Sequence, residues 1–303
     1  MSDEWLLRLE ELIGHDVNRR GLARDPQVNL RSVCRGDLGR ACRSLAQQDA
    51  GHAAIVTGFW IPSANAAETD GPIGAVFLAR VLADLGWQVS LHAEPWCADS
   101  LALALQLADD GRSPVRVHGP GTLPRGLTHL IAIERVGPSY QAEDVPEEHR
   151  GQCHTMRGQI VTQHMASLHE WFEGERAFTT IGIGDGGNEI GMGKVPREIV
   201  ARNIENGGLI ACRIAADHNI VCGISNWGAY ALAAGAWRLH GRRPTPPLFD
   251  LEHDRRTWQR VLEDCVLVDG MTGRRELAID GLSWDDHARP LRRIFELAGG
   301  ATS

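Results

Sequence analysis

One block limits what this chain can fold into more than any other: Thr180-Ile181-Gly182-Ile183-Gly184-Asp185-Gly186-Gly187-Asn188-Glu189-Ile190-Gly191-Met192-Gly193. An apolar, β-branched run opens into glycine. Without Cβ atoms the backbone there can adopt positive φ and come close to a ligand. Apolar run first and glycine after reads as a buried strand feeding a loop. In open α/β sheets, ligands gather at that strand end. Asp185, Asn188 and Glu189 make the loop acidic, which suits a polar or metal-bearing site better than a bare phosphate cradle. Gly182-x-Gly184-x-x-Gly187 matches a dinucleotide pattern, but that fingerprint opens directly into a helix. Here the glycines continue to Gly193, Pro196 follows, and Asp185 would repel a pyrophosphate. No nucleotide cofactor is expected.

The remaining sequence alternates between strand-like and helix-like stretches. Helical spacing marks 4–14 and 36–48; the polar Asn18-Arg19-Arg20-Gly21 between them takes no assignment. A buried strand at 52–60 leads through a loop to a helix at 72–85, with Pro72 in the first turn, where its missing N–H costs nothing. Strands at 87–92, 115–118 and 128–133 and a helix at 98–108 follow. The polar segment 136–154 reads as a lid or flexible loop. Further on, helices are expected at 157–173 and 196–203, and strands at 179–183, 209–214 and 220–224. Ser225-Asn226 is placed to cap an apolar helix at 227–239; 242–247 is broken by prolines, and 254–262 and 284–297 have helical spacing. This alternation predicts an α/β fold: a parallel or mixed central sheet flanked by helices in Rossmann-like layering. No clean linker divides 1–303, so one domain is expected, with a helical N-terminal extension over 1–50.

Composition excludes several partners. A net charge of −8 and a pI near 5.9 argue against nucleic acid, which calls for a basic footprint. There is no apolar run of about 20 residues to span a membrane. The acidic start Met1-Ser2-Asp3-Glu4-Trp5 lacks a signal peptide's basic and apolar regions. Seven cysteines, an odd number without CxxC spacing, fit neither a disulfide framework nor a structural zinc site and point to a reducing cytoplasm. The expected partner is a small-molecule substrate. Assembly into a homo-oligomer stays open.

Several residues could carry chemistry. Glu68-Thr69-Asp70-Gly71-Pro72 precedes a helix; Thr69 or Asp70 can cap it, or the helix N-terminus and Thr69 can receive a substrate carboxylate. Glu134 ends an apolar strand, where it either projects into a site or pairs with Arg135 at the surface. Asp185, Asn188 and Glu189 have three open readings: turn stabilisation, acid–base and hydrogen-bonding work, or metal binding. For the last, Asp185 and Glu189 offer the oxygen ligands that Mg²⁺ or Mn²⁺ prefers. Arg157 can clamp a carboxylate through two parallel hydrogen bonds. The thirteen histidines show no metal-binding spacing. No nucleophile elbow or phosphate-binding lysine loop is present.

Taken together, ETDGPIGA (68–75), ERVG (134–137), MRG (156–158), GIGDGGNEIGMGKV (182–195), SNWGAYALAA (225–234) and DGMTGRRELAIDGL (269–282) resemble the C-terminal domain of D-glutamate cyclases. The resemblance implies an α/β fold and reversible dehydration of D-glutamate to 5-oxo-D-proline. That reaction maps onto the candidates. Glu134, Asp185, Asn188 and Glu189 would be catalytic, with Asp185 and Glu189 available to a divalent metal. Glu68, Thr69, Asp70, Arg157, Gly184, Gly186, Gly187 and Asn226 would contact substrate. Two alternatives are a non-catalytic module that binds an acidic amino acid or oxoproline, and a metal-dependent enzyme acting on another small carboxylate.

Overall fold

The computed structural model describes residues 4–244 and 246–299. Met1-Ser2-Asp3 and Thr245 of the proline-broken stretch lie outside them. Six parallel strands form the central sheet: β1 (His52–Thr57), β2 (Gln88–His92), β3 (Arg116–His118), β4 (His129–Ile133), β5 (Thr179–Gly184) and β6 (His218–Val221). Their spatial order is β3-β2-β1-β4-β5-β6. This is the doubly wound order, in which the chain runs outward from β1 in one direction and then returns to build the other half from β4. The reversal leaves a crevice beyond the carboxyl ends of β1 and β4. Register aligns those ends, since Thr57 is opposite Ile133 and Ile133 is opposite Ile183. Gly58, Glu134 and the Gly184-Asp185 corner therefore emerge side by side.

Alternation along the strands sends side chains to two cores. Ile55, Ile131, Ile133, Ile181, Ile183 and Ile220 join the larger core. It is closed by α1 (Glu4–Ile13), α2 (Asp37–Ala46), α3 (Pro72–Asp84), α4 (Pro95–Ala108), α5 (Ser225–Leu239), α6 (Leu251–Asp264) and α7 (Trp284–Leu297). Ala54, Val56, Leu130 and Ala132 face the other way, against Leu22, Leu30, Phe172, Ile190 and the short helix Arg197–Asn203. The sheet is thus flanked on both faces, by long helices on one and mostly irregular chain on the other.

Two expected elements are absent. Residues 157–173 form no α-helix, only 3₁₀ turns at Thr162–His164 and Leu168–Phe172. Phe172 packs into the second core there, and short turns let the chain follow that surface. Residues 209–214 form no strand. A short helix, Gly207–Ile210, leads into an extended stretch that meets Ser139 through a single bridge at Cys212. The apolar residues Ile210, Cys212 and Ile214 are core contacts rather than a sheet repeat.

Gly58, at φ 105°, ends β1 before residue 60, and Trp60–Ile61 pairs instead with Ala66–Glu68, which pairs in turn with Leu267–Val268. This small sheet brings Glu68 and the 269–282 loop to the crevice.

Candidate active site

The glycine loop after β5 is held from inside by Glu189. Its Oε1 accepts the N–H groups of Asp185 (3.0 Å) and Gly186 (2.6 Å), and its Oε2 accepts that of Gly187 (2.8 Å). Close packing explains the glycines: a Cβ on Gly184 would lie 2.8 Å from the Glu189 carboxyl carbon, and one on Gly186 2.4 Å from Met156 Sδ. Gly187 is at φ 95°, where any side chain is strained. With Glu189 turned inward, Asp185 and Asn188 face a cavity of about 200 Å³ beyond the sheet. Asn188 donates its amide to His154 O at 2.7 Å, while its buried Oδ1 has no hydrogen-bond partner among the described residues.

Glu134 enters the cavity from β4 with a left-handed backbone, φ 44°. Its Oε2 accepts the Ser225 hydroxyl at 2.5 Å. Gly71 makes this approach tolerable; a Cβ there would lie 2.7 Å from Glu134 Cβ and 2.9 Å from Thr57 Oγ1. Glu68 and Asp280 also line the cavity. Asp269 shapes the Asp280 loop by accepting from Thr272 N (2.9 Å) and Gly281 N (2.7 Å). Arg157 lies exposed at the rim.

Thr69, Asp70 and Asn226 are buried and differently employed. Thr69 donates its hydroxyl to Ala278 O at 2.6 Å. The expected caps are exchanged between two helices. Asn226 Oδ1 accepts from Gly71 N (2.9 Å) and Gly74 N (2.8 Å) at the start of α3. Asp70 accepts from Ser225 N and Asn226 N, each at 2.8 Å, at the start of α5. Neither Thr69 nor Ser225 caps its own helix; the Ser225 hydroxyl goes to Glu134 instead. Arg135 is not a surface partner of Glu134: it is buried and grips Glu94 with its two terminal guanidinium nitrogens, each at 2.5 Å.

One cation comes from the segment that had no assignment. Arg20 Nη2 meets Asp280 Oδ2 at 2.6 Å, and Nη1 lies against Asp185 Oδ2. Nothing in local sequence flagged Arg20, because its partners are more than 160 positions away. Asp280 could have been suspected, since Asp-Gly ends the block that resembles the cyclases.

The electrostatics follow from burial. Glu134 is pushed well above the usual carboxylate range by burial and then by Asp185, Glu189, Glu68 and Asp70. Burial also pushes Glu68 well up, with Asp280 and Asp70 adding to it. Asp185 is raised well above its ordinary value, again by burial first, with Arg20 opposing. Asp70 is pushed up to about 7 by burial and Asp280. For Arg20, burial works against the charge, but Asp185, Asp280 and Glu134 more than offset it. Such an excess of buried acid stores protons or cations. Two triads could hold a metal ion: Asp70, Asp185 and Asp280, or Glu134, Asp185 and Glu189, each offering oxygens within 4.8 Å of one another.

Fold and site define a doubly wound α/β protein with a carboxylate-rich pocket at the point where the strand order reverses. The chain belongs to the D-glutamate cyclase-like, C-terminal family, whose model matches residues 9–295. It is 31% identical over 264 residues to the human (Homo sapiens) protein "D-glutamate cyclase, mitochondrial", a match covering 79% of this chain and 40% of that protein. The chain therefore spans well under half of that relative's length. Because the family match starts at residue 9, the segment carrying Arg20 falls within it.

Proposed function

We propose that this chain is a hydro-lyase interconverting D-glutamate and 5-oxo-D-proline. The observation that carries the reading is Glu134: a buried carboxyl, oriented by the Ser225 hydroxyl, that lines a cavity too small for a drug-sized ligand. Such ligands occupy about 300–1,000 Å³, against about 200 Å³ here.

Ring closure joins the α-amine to the γ-carboxyl carbon and expels water. Starting from the ammonium and the γ-carboxylate, nitrogen sheds two protons and the departing oxygen takes up two to leave as water. Ser225 donates to Glu134 Oε2, which leaves the carboxyl proton on Oε1, free for transfer to that oxygen. Asp185, on the neighbouring loop with its ionised form favoured by Arg20, accepts one ammonium proton and passes it to the departing oxygen. Glu134 gives up its own proton and regains the second from nitrogen, so both groups are restored. Ring opening runs the same groups in reverse. Arg157 at the rim suits the α-carboxylate, which it can hold through two parallel hydrogen bonds. Glu68 and Asn188 complete the polar wall. Glu189, Asp70, Thr69 and Asn226 set the backbone that carries these groups.

The all-oxygen donor set and surplus negative charge fit Mg²⁺ or Mn²⁺, held by Asp185 with Asp70 and Asp280, since Glu134 carries the transferable proton and Glu189 is committed to the loop N–H groups. A metal there would supply Lewis-acid polarisation of the γ-carboxyl group.

Among the described residues no helix is long and apolar enough to cross a membrane. Free cysteines throughout fit a reducing compartment such as the cytoplasm. The test is incubation with D- and L-glutamate and both 5-oxoproline enantiomers, with and without Mn²⁺, followed by chiral chromatography. Turnover confined to the D pair is expected. Saturable binding without turnover would sink the enzymatic reading and leave a binding module.

A further inference from the structure

The N-terminal segment inserts Arg20 into the acid cluster from a rigid seat. Asp16 accepts the N–H groups of Arg20 (2.8 Å), Gly21 (2.8 Å) and Leu22 (3.1 Å). Gly223 lets the chain pass so closely that a Cβ there would lie 1.8 Å from His15 O. At Gly21, φ 102°, a Cβ would lie 2.1 Å from Asn203 O. The backbone is therefore pinned from both sides, and movement is left to the Arg20 side chain, 13% exposed.

That side chain spans two carboxylates which, with Asp70, form one of the metal-competent triads. A hard divalent ion takes its oxygens at about 2.0–2.6 Å. An ion bound by Asp185 and Asp280 would sit in the volume that the guanidinium fills. Other groups also await a ligand. Among the described residues, Asn188 Oδ1, in a side chain buried to 1% exposure, has no hydrogen-bond partner in the same cavity wall, and neither has Asn18 Nδ2. The cavity is also short of positive charge for a dicarboxylate; among the described residues Arg20 and Arg157 are the only cationic ones lining it.

We propose that Arg20 is a built-in counter-ion that competes with a divalent cation for Asp185 and Asp280, and that the arriving cation releases the guanidinium into the cavity to receive a substrate carboxylate. The inference rests on the metal-bearing reading of the site above. Metal-free chain stays assembled because Arg20 offsets part of the acid charge. Once released, the planar fork matches a carboxylate better than a lysine would. Metal binding and substrate recognition are then coupled through one side chain.

Arg20→Met keeps the bulk and removes the charge. Mn²⁺ titrated into the full chain without substrate, followed by calorimetry and by the electron paramagnetic signal of free Mn²⁺, should bind Arg20→Met more tightly than wild type. The expected factor lies in the range of about 5–150-fold typical of coupled ligands. D-glutamate KM of the Mn²⁺-loaded variant should rise, while wild type keeps its value. Unchanged or weaker Mn²⁺ binding by Arg20→Met overturns the proposal, as does a wild type and variant that both bind no Mn²⁺. Should Arg20→Met not fold, Arg20→Lys serves instead, because one ammonium cannot span both carboxylates; its Mn²⁺ binding must still tighten. Since the titration contains no substrate, a chain inactive on D-glutamate can still show the competition. Conversely, turnover of D-glutamate with no gain in Mn²⁺ affinity refutes only the role of Arg20.

Discussion

Glu134 holds φ at 44° although glutamate, unlike glycine or asparagine, gains nothing from the left-handed region. For an L-residue that conformation costs about 1–2 kcal/mol, and residues so held cluster at sites where geometry serves function. The strain is testable by sign. In ordinary backbone, glycine is less stable than alanine by about 0.5–1 kcal/mol. At position 134 the order should invert, Glu134→Gly exceeding Glu134→Ala by about 1 kcal/mol in urea unfolding. Both variants lack the carboxyl, so its loss cancels in the comparison; alanine being the more stable would remove the strain argument. For activity, Glu134→Gln keeps the shape and discards the proton, and kcat should fall by about 10²–10⁴-fold with the fold intact by circular dichroism. A kcat within a few-fold of wild type would take Glu134 out of the chemistry.

At the scale of elements, the sheet was legible and the caps were not. Strands such as β1 and β5 are continuous apolar runs buried on both faces, a pattern that composition and length betray. The 157–173 and 209–214 segments misled because their apolar residues serve packing, with no repeat to distinguish them. Which groups share the pocket depends on strand order, so Glu134 and Asp185 could be suspected separately, but Arg20 could not. The crossed caps carry the same lesson: Asp70 and Asn226 were each adjacent in sequence to a helix start, yet each serves the other's helix. Losing a cap costs about 0.5–2 kcal/mol, so Asp70→Ala and Asn226→Ala should each destabilise by that order. Because the two caps share one junction, the double variant should lose less than the sum, by about 0.5 kcal/mol or more. Strict additivity in urea unfolding would show that the two helix starts are independent.

Across the whole molecule, two sets of buried groups tilt stability in opposite directions with pH. Burial depresses His92, His129 and His154 to about 4 and His287 to about 3, from an ordinary 6.5. Unfolding lets these rings take up protons, so their contribution is complete above pH 6.5 and is lost as pH falls toward 4. The acids behave in reverse. Burial lifts Asp70 from 3.8 to about 7 and holds Glu68 and Glu134 well above their ordinary values. The folded state keeps protons that the unfolded chain releases, so this stability is complete below the ordinary carboxylate range. It is lost as pH rises through the folded values. Between about pH 4 and 6.5 the two sets oppose each other; above 6.5 the histidines are spent and only the acids slope. In metal-free buffer the Tm should therefore decline from pH 6.5 to 8, and Glu68→Gln, which keeps the shape without a titrating carboxyl, should flatten that decline. Differential scanning calorimetry across this range decides the matter: a Tm that holds or rises in wild type would mean the cavity acids are already ionised, leaving Glu134 without the proton that ring closure requires of it.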